Sequence, residues 1–152
     1  EKTVEASRNH WFHTEDGIRV DEDGWFYFVD RIGDTLRRRG ENISSYEVEE
    51  PILNHDAVEE VAVVGVPAAE EGGEEEVKAF VVCKDGESAT PGELIDWCDE
   101  RLPAFMVPRY LEFIDELPKT SNEKIKKKDL RERGNSEDTW DRESADITLS
   151  EE

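Results

Sequence analysis

The side chains best suited to chemistry in this sequence are its positive charges, because they are few and clustered. Two short segments, 31–39 and 119–133, hold 11 of the 19 Lys and Arg residues, in a chain with 40 Asp and Glu residues. Positive clusters on so acidic a chain indicate places where anionic ligands such as phosphates are bound. They could equally offset neighbouring acids, and charge alone does not separate the two interpretations. The clustered cations are Arg31, Arg37, Arg38, Arg39, Lys119, Lys124, Lys126, Lys127, Lys128, Arg131 and Arg133.

Histidine and cysteine are too sparse to predict a metal site or a disulfide framework. His10 and His13 are three residues apart, but no further Cys or His pair completes a zinc site. We therefore expect no metal ligands. Cys83 and Cys98 lie in apolar stretches, and we expect both to be reduced core residues.

The overall charge limits the environment and the partners of the chain. A formal net charge of -21 favours solubility and opposes compactness by self-repulsion. Molar salt shortens the screening length to about 3 Å, so the acid excess predicts a halophilic source with a salt-rich cytoplasm. The same excess argues against nucleic-acid binding through the basic segment 119–133. No membrane span or apolar signal segment is visible, and we expect a soluble, cytoplasmic protein.

Turn and cap signals predict the elements that precede the main core. Residues 18–20 and 25–29 are expected to form two strands joined by a turn with Gly24 last. Residues 34–39 predict another short strand. Ser44 and Glu47 have the spacing of a capping box, which predicts a helix from there to about residue 54.

Two valine-rich stretches, 57–66 and 77–83, predict core strands with an acidic loop at 70–76 between them. A capping box with a first-turn proline predicts a second helix, whose signals are Thr90, Pro91 and Glu93.

The last third of the chain predicts one strand and one helix. The strand is expected at 110–114, and a short basic helix at 125–133 is closed by Gly134. The acidic tail beyond it, interrupted only by Trp140, either packs as a short turn or stays loose. The whole pattern predicts an α+β fold: a small mixed sheet flanked by helices and preceded by a short β-hairpin.

Three stretches in this order resemble the adenylate-forming enzymes, the superfamily of acyl-CoA ligases, luciferases and peptide-synthetase adenylation domains. They are 11–16 (WFHTED), 30–49 (with DRIGD, RGENI and EVE) and 118–124 (PKTSNEK). The likeness runs from about residue 11 to residue 133. Residues 38–45 and 140–143 most resemble the carnitine/crotonobetaine–CoA ligase branch.

The resemblance implies that Lys124 is the catalytic lysine of adenylate formation. Its ammonium would stabilise the charge that gathers around the α-phosphate of ATP in the transition state. A compact charge on a long, flexible stem suits that role. Without the motif, Lys124 is one more exposed lysine. Glu123 stands where the family usually has glycine, so we expect a stiffer and more acidic loop.

Two residues are implied to bind the nucleotide. Asp16 resembles the aspartate that accepts hydrogen bonds from both ribose hydroxyls, and Arg31 resembles an arginine that contacts the ribose near the domain junction. Their alternatives are a turn acid and a surface cation. Glu15 replaces a usual glycine and adds negative charge beside the nucleotide.

Three residues are implied to serve domain rotation and CoA binding. Gly33 occupies the hinge position, where glycine would permit rotation without steric cost. Gly40 resembles the glycine that lets the backbone pass close to the pantetheine arm of CoA, and Glu41 is placed with it. Residues 37–39 could meet CoA phosphates or form a charged strand face.

The resemblance implies a division of the chain and a set of ligands. Residues 1–32 would be the end of a large N-terminal domain, 33–134 the C-terminal domain, and 135–152 an acidic tail for which partial disorder is one expectation. ATP, Mg2+ and CoA would be substrates of the full enzyme, with none bound tightly here.

The phosphate loop of the large domain and an initiator methionine are missing from the sequence. We therefore expect a part of a larger ligase that is inactive alone and has the large domain as its partner. The alternative is a non-enzymatic interaction module with the same fold.

Overall fold

Two β-hairpins come first among the described residues. The computed structural model describes residues 11–68 and 74–150, without the side chain of Val29. Strands β1 (Asp16–Val20) and β2 (Phe26–Arg31) pair antiparallel, as predicted. Strands β3 (Leu36–Arg38) and β4 (Glu41–Ile43) form the second hairpin.

The second hairpin corrects the prediction of a single strand at 34–39. Its turn consists of Arg39 and Gly40, both at positive φ (50° and 82°). Two such residues make the tight turn that matches the twist of paired strands, but arginine is not a residue that signals it. Strand β4 was missed for that reason.

Helix α1 (Ser45–Leu53) follows at the predicted place but is capped differently. Ser44 occupies the cap position, yet its side chain makes no bond to its own helix, so the predicted capping box is wrong. The carboxylate of Asp30 takes that role, because it accepts a hydrogen bond from the Ser45 amide at 2.7 Å. A residue 15 positions upstream thus caps the helix.

The core is a four-stranded sheet in the order β5–β6–β7–β8. Strands β5 (Val58–Pro67) and β6 (Glu75–Cys83) are antiparallel, and β7 (Tyr110–Phe113) lies parallel to β6 after a crossover through helix α2 (Pro91–Asp99). Helix α2 has the predicted capping box at Thr90 and Glu93. Helix α3 (Lys127–Arg133) follows, and β8 (Trp140–Asp141) completes the sheet against β7.

Part of the predicted acidic loop is strand instead. Glu75 and Glu76 pair with Pro67 and Val66 at the start of β6, while residues 70–73 lie outside the described residues. The Glu76 carboxylate is 2.8 Å from Nε of the buried Arg38, and this ion pair offsets the cost of placing an acid in the sheet.

Alternate side chains of the sheet face two separate cores. One face, with Val61 and Val63, packs against α1, α2 and the second hairpin. The other face, with Ala62 and Val64, packs against Leu130 of α3. Because both faces of the sheet are covered, consecutive residues in the middle of β5 and β6 are all buried.

The described part of the acidic tail, up to residue 150, packs onto the domain. Leu149 is 3% exposed within the first core, and the Ser150 amide donates to the Asp99 carboxylate at 3.0 Å. Tail and α3 are also joined through the buried Lys78, whose ammonium donates to Glu112, Thr139 and the Gly134 carbonyl at 2.6–2.7 Å. Burial lowers the pKa of Lys78, and the hydrogen bond to Glu112 opposes that shift.

Both cysteines are free, as expected: Cys98 is buried and Cys83 half-buried. Burial raises the pKa of the Cys98 thiol to about 12, which makes this thiol unreactive at neutral pH. The α+β fold class is confirmed, whereas the division of the chain at residues 32 and 134 stays a prediction.

Candidate functional site

Lys124 lies at the end of a tight loop that the backbone itself closes. Lys119 and Ile125 form an isolated antiparallel bridge, and within it the Thr120 amide donates to the Lys124 carbonyl at 2.8 Å. The Thr120 hydroxyl accepts from the Lys124 amide at 3.2 Å. The Lys124 side chain is exposed, and within the described ranges its ammonium makes no ion pair. A rigid loop therefore presents an ammonium that is available to an external anion.

The base of this loop is held by an ion pair. The Lys119 ammonium contacts the carboxylate of Glu60 on β5, and that hydrogen bond raises the pKa of Lys119. The two lysines of the motif therefore differ: Lys119 has a partner in the chain, and Lys124 points to solvent.

The two predicted nucleotide residues lie together. Asp16 and Arg31 are cross-strand partners at the open end of the first hairpin, with Arg31 Nε 3.6 Å from Asp16 Oδ1. The adjacent backbone is tied by the Ile32 amide, which donates to the Glu15 carbonyl at 2.9 Å. This end of the hairpin thus offers a carboxylate and a guanidinium side by side, a pair able to bind hydroxyls and phosphates.

Gly33 lies in the short connection between β2 and β3. A Cβ built on it would meet nothing within 4 Å, and its φ lies outside the positive region. This conformation therefore does not require glycine. The predicted advantage of glycine, freedom from steric cost during rotation, would apply to backbone angles that differ from those in this structure.

Gly40 and Glu41 lie at the exposed tip of the second hairpin. The positive φ of Gly40, 82°, is a backbone need for glycine, although a Cβ at this position would meet nothing within 4 Å. Glu41 is the first residue of β4 and is exposed. The tip is therefore accessible to a ligand, as a CoA-binding role demands.

The arginines at 37–39 divide into two kinds, which corrects the treatment of these residues as one phosphate-binding group. Arg38 is 1% exposed, and its guanidinium donates to the carbonyls of Phe105 and Val107 at 2.9 and 3.3 Å. Only Arg37 and Arg39 are exposed. Arg38 is a structural residue, because the alternation of the strand turns it into the protein.

The candidate adenylation residue and the candidate CoA residues lie on opposite faces of the central sheet. Ile125, next to Lys124, packs with the α3 side of the sheet. Leu36 and Ile43, which flank the Gly40 turn, belong to the core on the other side. The structure does not bring Lys124 and Gly40 together in one pocket.

A polar network that the sequence did not indicate joins α1, α3 and the connection between β2 and β3. The Asp30 carboxylate accepts hydrogen bonds from Ser44 and Ser45, and Lys127 Nζ donates to Ser45 Oγ at 2.6 Å. Arg131 donates to the Gly33 carbonyl at 2.6 Å. Asp30 is part of the quoted DRIGD stretch, but nothing in the spacing shows that it meets a serine 15 residues away.

Electrostatics favour an ionised Asp30. Burial by itself would raise the pKa of the Asp30 carboxyl, but hydrogen bonds from Ser45 and Arg31 and the charge of Lys127 hold it below its usual value. The neighbouring Glu49 is 2.7 Å from Lys127, yet burial raises its pKa.

No group of three or more His, Cys, Asp and Glu side chains among the described residues could hold a metal ion. His10 lies outside those residues. Of the described helices, none is both long and apolar enough to cross a membrane.

The fold and the lysine loop define a C-terminal domain of the adenylate-forming type. The chain belongs to the family described as AMP-binding enzyme C-terminal domain, whose profile matches residues 47–124.

Its relatives are CoA ligases. It is 41% identical over 123 residues to a crotonobetaine/carnitine–CoA ligase of Salmonella arizonae, a match that covers 81% of this chain and 23% of that protein. It is 43% identical over 133 residues to a feruloyl-CoA synthase of an Amycolatopsis species, covering 88% and 27%. The chain thus spans about a quarter of the length of the curated relatives it matches.

Solved structures of similar fold include one with bound ATP and one with a bound acyl-adenylate. ATP-bound MatB from Rhodopseudomonas palustris has a TM-score of 0.77 at 33% identity, over 88% of this chain and 26% of that one. The o-succinylbenzoate CoA synthetase MenE from Bacillus subtilis, in complex with the acyl-adenylate OSB-AMP, has a TM-score of 0.78 at 32% identity, over 92% and 28%.

Proposed function

We propose that this chain is the catalytic C-terminal domain of an ATP-dependent acid–CoA ligase. In the first step, a carboxylate attacks the α-phosphate of ATP, forming an acyl-adenylate and releasing pyrophosphate. In the second, the CoA thiol attacks the acyl carbon, forming the thioester and releasing AMP. Lys124 serves the first step and the Gly40 tip serves the second.

The exposed ammonium of Lys124, on a loop closed by its own backbone, is the observation that carries this proposal. The loop lies at the end of the region that matches the family profile. A charge held ready at a fixed position stabilises developing negative charge without reorganisation during the reaction. Lys124 would therefore act as electrostatic catalyst on the α-phosphate oxygens.

Asp16 and Arg31 are proposed to bind the nucleotide. The Asp16 carboxylate can accept from both ribose hydroxyls, and the Arg31 guanidinium, 3.6 Å away, can donate to the same ribose. Magnesium would arrive with ATP as part of the substrate. Among the described residues, no group of three or more His, Cys, Asp and Glu side chains could hold this ion.

CoA is proposed to pass the tip of the second hairpin. Glycine at position 40 leaves the tip without a side chain, so an extended pantetheine arm can run close to the backbone. Glu41 and the exposed Arg37 and Arg39 flank that path, and the two arginines can meet phosphate groups of CoA.

The partner of this domain is proposed to be the large N-terminal adenylation domain of the same cytoplasmic enzyme. Six side chains in and around the first hairpin are apolar and 61–75% exposed: Trp11, Phe12, Trp25, Phe26, Phe28 and Ile32. So many exposed aromatics in a chain of high net charge indicate a surface that is covered by another part of the protein.

The test uses the complete ligase that carries this domain, with carnitine, crotonobetaine and ferulate as the first acids, since the relatives are named for them. We expect Lys124→Ala to slow adenylate formation, measured as pyrophosphate exchange, by about a hundredfold to a thousandfold. CoA transfer from a supplied acyl-adenylate should fall far less.

Lys128→Ala is the matched control for this test. Lys128 is four residues further on, its side chain is 81% exposed, and among the described residues its ion-pair partner is Glu132 at the surface. We expect Lys128→Ala to leave the rates of both half-reactions unchanged. We also expect the isolated chain, without the large domain, to have no ligase activity. Equal losses in Lys124→Ala and Lys128→Ala would refute the catalytic role.

A further inference from the structure

The connection between the first hairpin and the domain is held by helix α3 at two places. α3 begins three residues after Lys124, and its residues Lys127 and Arg131 are one helical turn apart, on one face of the helix. Arg131 bonds the Gly33 carbonyl directly, and Lys127 is linked through Ser45 to Asp30 in β2.

Arg131 binds the downstream side of the predicted hinge. Its Nη2 donates to the Gly33 carbonyl at 2.6 Å and contacts the Asp34 carboxylate. Rotation about the φ and ψ bonds of Gly33 turns the residues before its carbonyl and leaves the following peptide plane in place. These contacts can therefore persist while the hairpin rotates.

Asp30 binds from the upstream side, across the same pivot. Its Oδ2 accepts hydrogen bonds from Ser44 Oγ at 3.1 Å, the Ser45 amide at 2.7 Å and Ser45 Oγ at 2.8 Å. Asp30 belongs to β2 and precedes Gly33 in the chain, whereas Ser44 and Ser45 follow Gly33. Rotation about Gly33 must break these bonds.

Lys127 supports the serine side of this contact. Its ammonium lies 2.6 Å from Ser45 Oγ and 2.7 Å from Glu49 Oε1, and the same Glu49 oxygen accepts from the Val63 amide of edge strand β5. Asp30 is 6% exposed and Ser45 is fully buried. Ser45 is thus fixed to the domain, so a rotation about Gly33 would move Asp30 away from Ser45.

We propose that Asp30, Ser44 and Ser45 form a latch that holds one orientation of the hinge, and that Arg131 is the fixed support about which the hinge turns. This inference rests on the proposed function, in which the domain presents Lys124 for the first step and Gly40 for the second. These four are positioning residues: they touch no reacting atom and act by setting the balance between two orientations.

The test compares two variants of the complete ligase. Asp30→Asn keeps the size of the side chain but leaves one acceptor oxygen, so it can serve the Arg31 amide or the Ser45 amide and not both. We expect the ratio of the adenylation rate to the CoA-transfer rate to change by about tenfold, because the latched orientation serves only one of the two steps. Arg131→Gln should lower both rates and leave their ratio unchanged.

A second measurement is independent of activity. Trypsin cleaves after Arg31, inside the connection, and the rate of cleavage at Arg31–Ile32 can be followed by mass spectrometry. We expect it to rise several-fold in Asp30→Asn and, to a smaller extent, in Ser45→Ala. Ser45→Ala removes one hydroxyl and keeps the bond from the Ser45 amide to Asp30. It therefore tests the same contact if Asp30→Asn fails to fold.

The outcomes separate the two proposals. If Asp30→Asn only lowers the thermal midpoint, with the rate ratio within twofold of the unmodified enzyme and cleavage unchanged, Asp30 is a helix cap and the latch is refuted. If the unmodified enzyme forms no CoA ester, the proposed function fails. The cleavage rates would then still decide whether the contact restrains the connection.

Discussion

Glu123 and Glu15 adopt backbone conformations that glycine adopts more readily. Their φ angles are 58° and 62°, and both stand where the resemblance to adenylate-forming enzymes places glycine. A left-handed conformation costs an L-residue about 1–2 kcal/mol, because Cβ approaches the following carbonyl. The loop that presents Lys124 is therefore strained as well as acidic, and its stiffness stays a prediction.

Glu123→Gly should relieve this strain. The gain is opposed by the greater freedom of glycine in the unfolded chain, roughly 0.5–1 kcal/mol, so we expect the free energy of unfolding to rise by up to about 1 kcal/mol. Urea denaturation of the chain measures it. Glu87→Gly is the control, since Glu87 is an exposed loop glutamate whose φ is not positive, and it should destabilise. If both variants lost stability alike, the strain at Glu123 would be negligible.

At the scale of elements, the second hairpin determines where the candidate CoA-binding residue Gly40 lies. Its two-residue turn places Gly40 at the tip, and β3 and β4 pack Leu36 and Ile43 into the core on the side of the sheet away from Lys124. A domain with its two candidate sites on opposite faces must turn to use both. This arrangement is why the hinge contacts of Asp30 and Arg131 matter for the proposed cycle.

Gly40→Leu should block CoA transfer in the complete enzyme and spare adenylate formation. Because φ at Gly40 is positive, any side chain there also strains the turn, and Gly86→Leu provides the comparison. Gly86 has nearly the same φ, 79°, and equally open space around its Cα. We expect Gly86→Leu to cost similar stability with little effect on CoA transfer.

Single-turnover CoA transfer and pyrophosphate exchange measure the two steps separately. A similar loss of CoA transfer in both glycine variants would show that strain, rather than the position of Gly40, is responsible.

At the scale of the whole molecule, the net charge of -21 is the dominant feature. The positive residues that the fold buries or pairs, such as Arg38 and Lys78, serve the interior. Each of these two cations is paired with an acid, so the excess of acids remains on the surface, and their mutual repulsion opposes the compact state.

Stability of the chain should therefore rise with salt. Molar salt shortens the screening length to about 3 Å, which removes most repulsion between exposed carboxylates. We expect a higher thermal midpoint in molar potassium chloride than in dilute buffer. Sucrose at equal osmolality controls for effects that do not depend on charge. An unchanged or lower midpoint in potassium chloride would contradict a halophilic adaptation.

The sequence by itself determined the α+β class, the first hairpin, the three α-helices of the described residues and the strands β5, β6 and β7. It did so because these elements depend on local signals: alternation, valine-rich runs, glycine turns and the Thr90 capping box. The resemblance of its three motifs also indicated the family. The motif residues Lys124, Asp16, Arg31 and Gly40 were recognisable for the same reason, since each lies in a short, contiguous pattern.

Only the tertiary structure decided how Asp30, Ser45, Lys127 and Arg131 combine. Asp30 replaces the predicted cap of Ser44 because folding brings its carboxylate to the Ser45 amide, a contact that no local spacing encodes. The same holds for Arg38, which the pleat of β3 turns inward, and for the acidic tail, which packs because Leu149 reaches the core. Contacts between residues distant in sequence depend on where the sheet places its two faces, and that follows from packing of the whole chain.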